Sequence, residues 1–289
     1  MIGPATTFLL AKVLIHCCQQ PRMNYRMHPV LTVLVATAIS LFLTPSSAET
    51  EPLPDNGVVD YQLGGAYPPV PKVTVVVRDS TDNPAPQLFN ICYVNGFQTQ
   101  PGVPWPESLL VPGADGKPLV DPGWPDEFLL DVSTETRREL NLALVMRAID
   151  MCGEKGFDAI EFDNLDSYTR SHGYLKQADA LAFAKLLVNS AKKWGLPAAQ
   201  KNAGELGTRG RDEAGFSFAI VEECYRWQEC DTYTNIYGPK QVVDIEYPDD
   251  LSVDFTKVCA EKSRPTKMIL RDKMLVSAGS GGFLFRTCE

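Results

Sequence analysis

The groups in this sequence best suited to chemistry are carboxylates placed at the ends of apolar runs. Residues 158–168 read Asp-Ala-Ile-Glu-Phe-Asp-Asn-Leu-Asp-Ser-Tyr, and residues 218–223 read Phe-Ala-Ile-Val-Glu-Glu. The same pattern, a few apolar or β-branched residues followed by a polar tip, recurs along the chain. Its tips include Gln62, Arg78, Asn95, Asp163, Asn164, Lys201, Asn202, Glu222, Glu246 and Arg271. Ordinary surface polarity accounts for about half of such positions. It accounts less easily for Lys201-Asn202 and Glu222-Glu223, which directly follow apolar runs. Paired carboxylates can break a glycosidic bond, one protonating the leaving oxygen while the other attacks carbon or activates water. Competing chemistries lack their parts. There is no G-x-S-x-G elbow for a triad and no P-loop for phosphoryl transfer. No CxxC pair exists, and His172 is the only histidine beyond residue 48, so a metal site is not expected.

The elements that must position these tips are buried strands. Runs at 58–62, 73–79, 88–95, 158–164, 196–202, 218–223, 242–247 and 268–272 are continuous rather than alternating, as parallel strands covered on both faces are. Glu127 to Val132 reads as a short additional strand. Ser133 or Thr134 can cap a helix presenting Leu140, Leu144, Ala148 and Met151 and stopping near Gly153 or Gly156. A second helix over residues 178–194 presents Leu181, Ala184, Leu187, Val188 and Ala191, with Gly195 past its end. Residues 96–128 are loop-like and Pro-rich. Eight strands alternating with helices predict a single (β/α)₈ TIM-type barrel with its site at the C-terminal strand ends. A doubly wound sheet is second, because the glycine-rich dinucleotide turn is missing.

Composition narrows the partners. The 289 residues are 44% hydrophobic and 22% charged, which is globular rather than disordered composition. The first 48 residues contain Lys12, Arg22 and Arg26 but no acid, and residues 30–43 are mostly apolar and uncharged before Pro45-Ser46-Ser47-Ala48. This reads as an N-terminal extension and a secretory signal peptide cleaved after Ala48, with Met23 or Met27 as alternative starts. The run is too short for a membrane span of about 20 residues, so the mature chain is expected to be secreted and free of the membrane. Residues 49–57 read as a polar arm and residues 58–289 as the catalytic domain. Beyond residue 48, 24 basic residues face 36 acidic ones, a formal charge of −12. Such a body is ill suited to nucleic acid and suited to a cationic ligand. Six cysteines remain there, enough for three disulfides: Cys224 with Cys230 as a local loop, and Cys92 with Cys152 and Cys259 with Cys288 as one completion among several.

The two acidic strings, together with Val-Val-Asp-Tyr61-Gln62-Leu-Gly, Asn90-Ile-Cys92-Tyr93-Val, Gln200-Lys201-Asn202 and Glu229-Cys230-Asp231, resemble the endo-α-1,4-polygalactosaminidase family, glycoside hydrolase family 114. They occur in the family's order from about Val58 to the C-terminus. The resemblance implies a secreted (β/α)₈ enzyme, without metal or organic cofactor, that cleaves α-1,4-linked galactosamine polymers. It also implies that an Asp after the fourth strand and a Glu after the sixth carry the reaction; by motif these are Asp163 and Glu222. Phe162 and Val221 stand where many members have Pro and Asn, next to the two acids. Asp163 is expected as nucleophile and Glu222 as general acid/base, with single displacement open because carboxylate spacing decides it.

Substrate contacts are expected from Tyr61, Gln62, Tyr93, Glu161, Asn164, Asp166, Lys201, Asn202 and Glu246. Some have structural alternatives. Glu161 could instead pair with Lys201 inside the barrel, Asp166 could cap a turn, and the tyrosines could simply pack. Glu223 should point away from Glu222 and pair structurally. A monomer is expected. A glycosidase acting on another α-linked polysaccharide, and a secreted carbohydrate-binding protein without turnover, are the alternative functions.

Overall fold

A computed structural model of the chain describes residues 52–288. The expected leader and the first residues of the arm fall outside that range. Within it, nine strands form one sheet in sequence order. They are β1 (Val58–Gln62), β2 (Val73–Asp79), β3 (Phe89–Asn95), β4 (Ala159–Asp163), β5 (Ala198–Lys201), β6 (Phe218–Glu222), β7 (Val242–Glu246), β8 (Lys267–Arg271) and β9 (Phe285–Thr287). The first eight are parallel and are the eight apolar runs of the sequence; β9 adds antiparallel to β8. The sheet curls into a nearly closed TIM-type barrel. Arg271 on β8 spans the seam to β1, where Asp60 Oδ1 accepts at 3.3 Å and the Tyr61 carbonyl accepts as well. Above the seam Gly64 bridges to Val276, and a Cβ at Gly64 would lie 2.3 Å from the Leu275 carbonyl oxygen. Only glycine permits that approach.

The barrel interior is filled by Val59, Tyr61, Val75, Val77, Ile91, Ala159, Ala199, Phe218, Ile220, Val243, Ile245 and Ile269. These residues set the inward parity of each strand, since successive side chains alternate between faces. The outer face packs against helices α1 (Glu135–Lys155) and α3 (Gln177–Lys192), with α2 (Ser167–Arg170) between them in the chain, and α4 (Cys230–Tyr237) and α5 (Phe255–Cys259) cover the β6–β8 side. The β1–β2 and β2–β3 crossovers contain no helix, so the fold departs from strict (β/α)₈ alternation.

Helix α3 buries the expected stripe. Helix α1 begins at the expected cap, Thr134, and ends at Gly156 in the left-handed conformation, but buries Asn141, Val145, Ile149 and Cys152 instead of the expected face. Leu140 is half exposed. The stripe is displaced by one residue because Asn141 docks the preceding long loop. Its amide donates to the Leu109 and Asp131 carbonyls and accepts from Trp105 Nε1. Residues 127–132 do not form a barrel strand; they make isolated bridges to Gln98, Leu110 and Val120 inside that loop. All three expected disulfides are present, Cys92–Cys152 tying β3 to α1. The arm is docked: Leu53 is fully buried, and its backbone N–H and carbonyl both bond the Gln241 side chain.

Candidate active site

Strands β4, β5 and β6 each end in a functional side chain followed by a residue with positive φ: Asp163-Asn164, Lys201-Asn202 and Glu222-Glu223, at φ 63°, 45° and 61°. Asn tolerates this left-handed conformation better than Glu, for which it costs on the order of 1–3 kcal/mol. The turns are held from the side. Asn202 Oδ1 accepts the Glu222 N–H at 2.8 Å, Asn164 Nδ2 donates to Asn95 Oδ1 at 3.0 Å, and Glu223 pairs with Arg226 at 2.7 Å. The chain therefore leaves each strand sharply, with the preceding side chain aimed into the barrel mouth.

Lys201 is the hub of that mouth. Its side chain is 3% exposed, and its ammonium lies 3.1 Å from Glu161, 3.3 Å from Asp163 and 3.4 Å from Glu222. Two of these contacts share one nitrogen, so Asp163 Oδ1 and Glu222 Oε2 lie within about 7 Å of each other, the scale on which carboxylate pairs work in glycoside hydrolysis. Asp163 also accepts from Tyr93 Oη at 2.7 Å and from the Asn164 N–H at 2.8 Å. Burial alone would raise its carboxyl, but Lys201 and these donors outweigh it and hold Asp163 below its usual value. Glu222 accepts a hydrogen bond from Tyr247 Oη at Oε1 and faces Lys201 at Oε2. Glu161 sits one layer below, fully buried, accepting from Tyr61 Oη at 2.8 Å. Burial pushes it up to about 7, against the pull of Lys201.

Around these groups opens a cleft of about 530 Å³. Tyr61, Tyr93, Asp163, Asn164, Asp166, Lys201, Asn202 and Glu222 line it, as expected from the sequence. Three expected contacts do not. Glu161 is the interior partner of Lys201. Gln62 and Glu246 fall on the outward parity, their neighbours Tyr61 and Tyr247 pointing inward instead. Gln62 is fully buried, donating to Asp60 and accepting from Arg78 at 2.9 Å. Glu246 accepts the Tyr225 N–H at 2.8 Å while Asp244 accepts the Cys224 N–H at 3.1 Å, so the two acids hold the loop after Glu222. Burial raises both carboxyls. Asp166 does not cap its turn by a side-chain bond; it pairs with Arg170 at 2.8 Å.

The sequence reading missed the wall contributed by the long loop. Asp121, Trp124 and Glu127 line the cleft beside Arg170, which bonds Asp121 at 2.6 Å. Glu127 accepts from Asn95 Nδ2 at 2.9 Å, and burial, with Asp163 and Asp121 nearby, pushes it up to about 7. The available signal was loop length, since structureless connections of this size are usually functional. Six acids and three bases line the cleft. Among the described residues, Cys224, Cys230 and Asp244 are the one cluster tight enough for a metal ion, and the two sulfurs are joined in a disulfide.

With this geometry in view, comparison with known proteins decides the family. The profile of glycoside-hydrolase family GH114 matches residues 43–288. The chain belongs to that family. It is a glycoside hydrolase. A crystal structure of Aspergillus fumigatus Ega3 in complex with galactosamine is similar at 23% identity and a TM-score of 0.66, covering 84% of this chain and 99% of that one. The glycoside hydrolase domain of PelA from Pseudomonas aeruginosa is similar at 14% identity and a TM-score of 0.54, covering 77% and 97%. At these identities the likeness is one of fold. No match was found among curated protein sequences.

Proposed function

We propose that this GH114 hydrolase is a secreted, monomeric enzyme that cuts within chains of α-1,4-linked galactosamine by double displacement. The observation that carries the reading is the shared contact of Lys201 with Asp163 and Glu222, which gathers two carboxylates from different strands at one sugar-sized gap. Their surroundings differ. Asp163 receives three donors, which favour its ionised form and suit it as nucleophile; Glu222, more exposed at 29%, faces the open cleft where the departing oxygen and water would lie.

In the first step an Asp163 oxygen attacks the anomeric carbon while Glu222 gives its proton to the departing glycosidic oxygen. In the second, Glu222 takes a proton from water, the hydroxide adds to the anomeric carbon, and the Asp163–carbon bond breaks. An excess of acids over bases in the cleft, and the acidic body, favour a sugar polymer bearing ammonium groups. Ega3 was crystallised with galactosamine, which supports the same substrate class here.

The test is release of reducing ends from a panel of polysaccharides. Cleavage of galactosamine polymer is expected, and cutting only galactose- or glucose-based polymers would overturn the substrate assignment. Binding without release would make the chain a lectin-like protein. Asp163→Asn and Glu222→Gln should each lose at least about a hundredfold in kcat with the fold intact.

A further inference from the structure

The cleft does not end at Glu222. A groove of about 400 Å³ shares Trp124, Asp166, Asn202, Glu222, Tyr247 and Lys273 with it, Lys273 being paired with Asp250 at 2.7 Å, and continues over the loop that follows β6. Two tryptophans flank this groove, Trp124 at 58% and Trp227 at 61% exposure. What sets these two apart from other exposed apolar side chains is that both border one groove continuous with the cleft, where their rings offer faces to a ligand. Trp227 is not a loose side chain. It sits inside the loop closed by the Cys224–Cys230 disulfide, and the Arg226 guanidinium lies 4.6 Å from its ring centroid. A ring supported in this way is a preorganised platform for the apolar face of a sugar.

Carboxylates complete the groove. Glu205 is exposed and accepts from the Tyr168 hydroxyl, while half-buried Glu229 is raised by burial. Neither has an ion-pair partner among the described residues, whereas the neighbouring Glu223 is neutralised by Arg226. We propose that this groove is a further subsite of the substrate chain, taking an unacetylated galactosamine unit. The sugar stacks on Trp227 and its ammonium group lies against Glu205 and Glu229. The inference rests on the galactosaminidase reading and adds to it a site for the units on the Glu222 side of the scissile bond. Such a subsite would make the enzyme select for deacetylated stretches beyond the bond it cuts.

Two readouts separate the inference from the reading it rests on. Reducing-end release by the wild type tests the activity. Titration calorimetry of an α-1,4-galactosamine hexasaccharide against the turnover-deficient Asp163→Asn protein, and against the same protein carrying Trp227→Ala or Glu205→Gln/Glu229→Gln, tests the groove. Both variants change exposed or half-exposed side chains, so they are expected to fold, and circular dichroism checks this. Affinity should fall about tenfold in each, and for the double variant the loss should vanish with the fully acetylated hexasaccharide. If the wild type cuts the polymer but both groove variants bind the hexasaccharide as tightly as Asp163→Asn alone, the subsite is refuted and the activity stands. If Asp163→Asn binds the hexasaccharide, both sets of groove substitutions weaken binding and the double variant's loss vanishes with the acetylated ligand, the subsite stands whatever the cleavage assay gives; a loss that persists with the acetylated ligand refutes the ammonium contact. If Asp163→Asn does not bind it, the subsite is refuted, and the cleavage assay alone decides the activity.

Discussion

Replacing Lys201 with Met is the most revealing single perturbation, because one buried ammonium balances three carboxylates. Met keeps the aliphatic length and removes the charge. The lysine side chain is 3% exposed and Glu161 is fully buried, so the loss is not screened by solvent. Removing one partner of a buried ion pair costs about 3–5 kcal/mol. At about 2–4 °C per kcal/mol for a domain of this size, Tm should fall by about 6–20 °C. The pH dependence gives the sharper test. Asp163 has a lowered value in the folded protein, so its ionisation stabilises the fold above its unfolded value, and this is lost as pH falls through the folded value. Without Lys201 that value rises, and the acid limb of kcat/KM moves to higher pH. Glu161, deprived of the same cation, retains its proton to higher pH, so adding Glu161→Gln to the variant should recover part of the lost stability. Thermal melts and pH-rate profiles of the three proteins measure both effects. A single variant with wild-type Tm and an unmoved acid limb would refute the charge-balance argument.

Glu161→Gln alone tests the opposite sign. Its carboxyl moves from 4.5 to about 7 on folding, so its contribution is complete below about 4.5 and is lost as pH rises through 7, amounting to about 3 kcal/mol. Urea unfolding across that window should give a flatter stability profile for the variant, and parallel profiles would contradict it. The disulfides should separate by loop length. Opening Cys92–Cys152, with a sequence separation of 60, should cost about 4 kcal/mol, and opening Cys224–Cys230, with a separation of 6, about 2 kcal/mol. Denaturant melts of the paired Ser variants would show the order. Salt is the simplest probe of the acidic cleft. Raising ionic strength from about 0.01 to 0.15 M shortens the screening length from about 30 to 8 Å. KM for a cationic polymer should therefore rise, and that for its acetylated analogue should not; equal responses would show that cleft charge does not recruit the substrate.

The sequence by itself determined the eight parallel strands, the α3 stripe, the local Cys224–Cys230 loop and, through its motifs, the two acids that the barrel places together. Each rests on a local signal: unbroken apolar runs, a 3.6-residue period, a short spacing, conspicuous strings. The other two cysteine pairings and β9 came from the tertiary structure. The tertiary structure alone decided which polar residue of each neighbouring pair faces the substrate. In parallel strands covered on both sides, both parities are apolar, so no alternation tells Tyr61 from Gln62 or Tyr247 from Glu246. Barrel closure makes that choice, and it also sinks Glu161 one layer beneath Asp163. The face of α1 was hidden for a related reason, since Asn141 is buried by the carbonyls of a loop distant in sequence. That loop supplies Asp121, Trp124 and Glu127 to the cleft through long-range pairing, and no periodicity in a chain records a contact made across it.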